Sequence, residues 1–137
     1  STQEKHVCVG AIIEYNGKVL LSQKEGKATL PTMTTDDNTN AVSTIKQFLT
    51  ENGIDAQLGA VFSIYENTKS NINYIFYRVI AHSADTKDLG QYVAIDDIAQ
   101  QDFATPAMNS MMNRYATESK NGFYGVYVGQ EEQGRVH

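Results

Sequence analysis

The sequence predicts a mixed α/β domain with one layer of sheet between helices, on three observations. A β-branched, mostly apolar run at 6–15 precedes Asn16-Gly17 and a second apolar run. Apolar residues recur at helical spacing over 41–49, and a second helical pattern follows Pro106. A long alternating run at 71–82 lies between them. Strands and helices interleaved in this order pack as layers around a shared core.

Each element has its own reason. His6 to Tyr15 suits a strand covered on both faces. Asn16-Gly17 is the strongest short hairpin signal, so Lys18 to Gln23 is the returning strand. Lys24 to Lys27 is a polar turn, and Ala28 to Leu30 is a short extended piece before Pro31. Thr32 to Asn40 reads as a polar loop whose end offers Asn38, Thr39 and Asn40 as helix caps. Ala41, Val42, Ile45, Phe48 and Leu49 form one apolar helix face, and Asn52-Gly53 ends it.

Ala56 to Tyr65 reads as a strand, Glu66 to Ser70 as a loop, and Asn71 to His82 as a long strand. Ser83 to Leu89 is a polar connection before a short strand at Gly90 to Ile95. Asp96-Asp97 is expected to cap a short helix at Ile98-Ala99. Pro106 suits a first helical turn, and Met108, Met111, Met112 and Tyr115 make that helix's apolar stripe. Such a stripe is core rather than a cofactor site. Phe123 to Val128 looks extended, and Gln130 to His137 looks loose.

Size and charge narrow the function. The 137 residues are expected to form a single domain, 1–137, with a core at about 6–116 and an extended tail at 121–137. The net charge of −5 and the lack of a Lys/Arg run argue against nucleic acid as partner. No 18-residue apolar run or signal-peptide pattern is present, so no membrane span is expected and the cytoplasm is the default location. Cys8, the lone cysteine, reads as a buried structural thiol. His6, His82 and His137 have no metal-ligand spacing. A start at Ser1-Thr2 rather than Met suggests processing or a piece of a longer protein.

Several phrases together resemble the Nudix family. They are GAIIEYNGKVLLSQ, Leu30-Pro31, Asn52-Gly53-Ile54 and Tyr92-Val93-Ala94-Ile95-Asp96-Asp97-Ile98, in that order over about residues 6–116. The resemblance implies an α/β/α sandwich, a mixed curved β-sheet packed between helices. It also implies a pyrophosphatase signature in which glutamates on a helix hold Mg²⁺ against a substrate diphosphate. Anchored on Gly53 and Ile54, that signature places Lys46 and Gln47 at its Arg-Glu pair, and Thr50 and Glu51 at its paired glutamates. The upstream glutamate position falls on Asn38, the opening glycine falls on Thr32, and the turn's glycines are lost.

Glu51 is therefore the only signature acid left, and the only residue the resemblance offers as a metal ligand. Gln47, Thr50 and Glu51 lie at i, i+3 and i+4 on one helix patch and are the candidate cleft-lining, ligand-binding residues. No catalytic residue is expected. Asp36, Asp37, Glu66 and Asp102 are the other acids that could approach such a site. Three readings follow. The first is a non-hydrolytic binding or regulatory module for a small phosphorylated ligand. The second is a structural domain pairing with itself or with a partner domain of a longer chain. In support of the second, the tail faintly resembles proteins that fuse a flavin reductase to a Nudix-like domain. The third is a divergent hydrolase of nucleoside diphosphate derivatives, using Mg²⁺ and Glu51.

Overall fold

A central parallel pair organises the sheet. β1 (His6–Tyr15) runs parallel to β6 (Ile72–Ala81), in register from His6↔Ile72 to Glu14↔Ile80. The computed structural model describes residues 6–35, 40–132 and 135–136. β1 turns at Asn16 (φ 50°) and Gly17 (φ 77°) into antiparallel β2 (Lys18–Lys24). Two left-handed residues suit a two-residue hairpin, so Asn-Gly fits without strain. Glu25 (φ 53°) and Gly26 (φ 79°) repeat that geometry before β3 (Lys27–Thr29).

The remaining strands are β4 (Thr32–Thr34), β5 (Ala56–Asn67), β7 (Gln91–Ala94), β8 (Tyr127–Glu132) and β9 (Arg135–Val136). Among the described residues the strand order is β3-β2-β1-β6-β5-β8-β9, with β4 beside β1 and β7 beside β2. Helix α1 (Ala41–Glu51) is capped by Asn40, whose side chain accepts from Ser43 N at 2.8 Å. It ends at Asn52 and Gly53 (φ 66°). Helix α2 (Pro106–Asn121) begins behind Thr105, whose hydroxyl accepts from Met108 N at 3.1 Å, and stops at left-handed Gly122.

The two helices cover opposite faces, because β1 alternates. Val9, Ala11 and Ile13 join Ile45 and Leu49 of α1 in one cluster. Ile12 joins Met108, Met111, Met112 and Tyr115 of α2 in the other. The expected layer of sheet between helices is what forms. α2 is also tied down by polar contacts. The Tyr115 hydroxyl donates to Glu14 Oε1 at 2.6 Å and accepts from Arg78 Nε at 3.3 Å. The Arg78 guanidinium lies 3.6 Å from the Tyr124 ring centre, a cation–π contact. Burial, then the bond to Glu14 and its negative charge, raise the Tyr115 pKa.

Four local expectations are corrected. The stretch read as a polar loop from Thr32 contains β4, because Thr32, Met33 and Thr34 pair with β1 at Gly10, Val9 and Cys8. β5 runs on through Glu66 and Asn67, which pair with Asn73 and Ile72. Asp96 and Asp97 do not cap a helix. They sit in the first turn of a 3-10 helix, Ile95–Gln100, that has no side-chain cap. The tail read as loose from Gln130 continues as β8 and β9, because β8 pairs with β5 from Ser63↔Tyr127 to Asn67↔Glu131. Cys8, expected to be buried, is only half-buried, and that partial burial raises its thiol pKa.

Candidate functional site

The helix patch is the first candidate, and α1 presents it to solvent. Gln47, Thr50 and Glu51 are all exposed, because Thr44, Ile45 and Leu49 take the buried side of the helix. Gln47 Nε2 donates to Glu51 Oε1 at 2.8 Å. The patch thus offers one carboxylate, with one oxygen already engaged. Bridging Mg²⁺ ions need several oxygen anions, so these residues do not fit such a centre. No group of three or more His, Cys, Asp or Glu that could hold a metal ion occurs among the described residues.

The other acids are dispersed. Asp102 pairs with Lys27 at 3.7 Å and Asp96 with Lys120 at 3.9 Å. Glu66 is half-buried in β5. His82 faces Asp55 at 3.1 Å. Asp36, Asp37, Asn38 and Thr39 lie outside the described residues.

A cleft of about 390 Å³ opens on the other face of the sheet, between strands β2 to β6 and the start of α2. Tyr65 and Tyr74 form one wall. They are register partners on adjacent antiparallel strands, which brings their rings to 5.0 Å at 21°. Phe76 backs Tyr65 at 6.1 Å and 14°. Tyr65 is buried between Tyr74 and Phe76, so half-buried Tyr74 is the ring that offers a flat π-surface to a planar ligand. Met108 and Leu30 add apolar contact.

Much of the remaining lining is polar. Lys24, Thr29, Thr32 and Thr105 line it, and no Asp or Glu does so among the described residues. Thr29 and Ser22 share a hydroxyl hydrogen bond at 2.7 Å. Thr105 caps α2, so the helix N-terminus lends partial positive charge to this end. The cleft can therefore take a small molecule with a flat ring and an anionic group. Sequence reasoning missed these residues. Their signal was the alternation of Ile72, Tyr74 and Phe76, read as strand periodicity rather than as a wall facing a cavity.

No protein-family model matches the chain. It is 28% identical over 135 residues to a probable flavin reductase of Rhizobium meliloti, covering 98% of this chain and 42% of that protein. It is also 28% identical over 131 residues to the reductase component of a flavin-dependent trigonelline monooxygenase from Acinetobacter baylyi, covering 95% and 42%. The chain thus spans 42% of the length of these curated relatives. Among solved structures, a NUDIX hydrolase from Nitrosomonas europaea superposes with a TM-score of 0.73 at 21% identity, covering 95% of this chain and 81% of that one. A candidate oxidoreductase from Sinorhizobium meliloti gives 0.75 at 24% identity, covering 88% and 42%. Among the described residues, no helix is long and apolar enough to cross a membrane.

Proposed function

The chain has the Nudix fold, and on that premise we propose that it is a ligand-binding module that does not hydrolyse its ligand. The ligand class is a small phosphorylated or otherwise anionic molecule with a planar aromatic ring, as in a nucleotide. The observation that carries this reading is the cleft that joins Tyr65 and Tyr74 to Lys24, three threonine hydroxyls and the α2 N-terminus. A ring stacked on Tyr74 and an anion near Lys24 would engage both kinds of lining at once. The single signature carboxylate, Glu51, supports the loss of hydrolysis, since metal-assisted phosphoryl chemistry needs more anionic oxygen than the patch supplies.

The module serves as the regulatory part of a longer flavin reductase-like chain in this reading. What supports it is the near-complete coverage of this chain against part of two flavin-linked relatives. Any redox chemistry belongs to the rest of such a chain. The binding reading is tested by calorimetric titration with ADP-ribose and related nucleotides. Saturable binding is expected, weakened about tenfold by Tyr74→Ala, since stacking a base on an aromatic ring contributes roughly 1–3 kcal/mol. Lys24→Ala should weaken it by several-fold. Absence of binding by every nucleotide in the series would overturn the ligand class.

A further inference from the structure

A second cavity, of about 290 Å³, lies at the far end of the β1–β2 hairpin, where the 83–90 connection folds back over the sheet. It stands on its own observations and does not depend on the nucleotide reading. Tyr15 and Tyr92, both half-buried, line it with their rings 6.0 Å apart and tilted by 54°. Lys18 and Thr86 supply polar side chains, while Gln91, next to Tyr92 on β7, turns its side chain to the other face of the sheet. Lys18 is the charged lining side chain among the described residues.

Why these residues meet follows from the fold. The Asn16-Gly17 turn sets Tyr15 opposite Lys18 in the β1–β2 register. The β2–β7 register sets Tyr92 opposite Leu20, and Gln91 opposite Leu21. The connection that closes the cavity is tightly specified. Lys87 (φ 51°) and Asp88 (φ 62°) are both left-handed, Leu89 N bonds Thr86 O at 2.9 Å, and Asp85 Oδ1 accepts from Lys87 N at 2.9 Å. Two consecutive non-glycine residues in that region cost energy, and such strain persists where the surroundings fix it, often at ligand clamps. Asp85, the acid near Tyr92, is itself held by Lys87 Nζ at 3.2 Å.

We infer that this cavity is a binding site for a single-ring aromatic carboxylate. The tyrosine pair takes the ring, Lys18 takes the carboxylate, and the Thr86 hydroxyl bonds its edge. The volume has room for one ring and its carboxylate, since a cavity of roughly 150 Å³ is enough to bind benzene. Lys18 sets the sign of the charge, and the tyrosine rings favour a flat partner over an aliphatic one.

Benzoate titrated into the ¹⁵N-labelled chain tests this. The expected result is saturable amide shifts at Tyr15, Lys18, Thr86, Gln91 and Tyr92. Benzamide and cyclohexanecarboxylate should each bind several-fold more weakly. Lys18 is exposed, so Lys18→Gln leaves the fold intact; it should weaken benzoate about threefold to fivefold, as an exposed ion pair does. Lys18→Arg should restore most of that loss. Tyr92→Leu should weaken binding about fivefold. No saturable shifts, or shifts confined to the Tyr65–Tyr74 cleft, would overturn the site. Equal affinity for benzamide, or for Lys18→Gln and the parent, would overturn the role of Lys18.

Discussion

Replacing Tyr115 by Phe deletes one oxygen and leaves the ring in place. The ring packs edge-on against Phe62 at 5.0 Å, and Tyr115 is fully buried, so apolar contact is conserved. Two polar contacts disappear: the 2.6 Å bond to Glu14 and the 3.3 Å bond from Arg78. Tyr124 reaches the same Glu14 oxygen only at 3.5 Å and cannot replace the short bond. A hydrogen bond to a charged acceptor contributes about 1.5–3 kcal/mol, so the expected loss is about 2 kcal/mol. For a chain of this length that lowers Tm by about 6 °C. Urea denaturation should show the same loss with an unchanged m-value.

The same substitution carries a pH signature. The folded pKa of Tyr115 is raised, so the folded state holds its proton more tightly than the unfolded state does. The associated stability is complete below the unfolded tyrosine value of about 10 and falls as pH rises above it, by up to about 1.4 kcal/mol per pH unit. The gap between parent and Tyr115→Phe should therefore narrow above that value. A loss below about 0.5 kcal/mol would mean that Glu14 is served equally well by water, and the account of how α2 is tied to the sheet would fail.

Three further outcomes follow from local geometry. Ser63 is 1% exposed, and its Oγ is a buried polar atom without a hydrogen-bond partner among the described residues, so Ser63→Ala should stabilise the chain by about 1 kcal/mol in urea melts. A Cβ at Gly90 would stand 2.1 Å from the Leu21 carbonyl oxygen, so Gly90→Ala should cost about 3 kcal/mol or give insoluble protein on expression. Asn40→Ala removes the α1 cap and should cost about 1 kcal/mol by thermal melting, whereas Asn40→Asp should be nearly neutral.

The strands with strong local chemistry were legible from the sequence. Asn16-Gly17 and the β-branched run before it gave β1 and β2. The helical spacing of Ile45 and Leu49, and of the α2 methionines, gave both helices and their buried faces. β4 was not legible, because Thr32, Met33 and Thr34 owe their conformation to pairing with β1, far away in sequence. β8 was displaced for the same reason, since its partner is β5. The site divides along the same line. Gln47, Thr50 and Glu51 share a helix patch by spacing alone, which the sequence displays. Tyr65 and Tyr74 meet only through strand register, and Lys24 and Thr105 join them only once the layers are assembled.

The Nudix-fold chain is expected to bind without hydrolysing. Incubating the chain with ADP-ribose and other nucleoside diphosphate derivatives, in Mg²⁺ and in Mn²⁺, tests it most directly when products are resolved by chromatography beside Glu51→Gln. No turnover by either protein is expected under conditions where calorimetry detects binding. Metal-dependent turnover by the parent chain would contradict a binding-only role. Its disappearance in Glu51→Gln would show that one signature glutamate is enough to hold the metal.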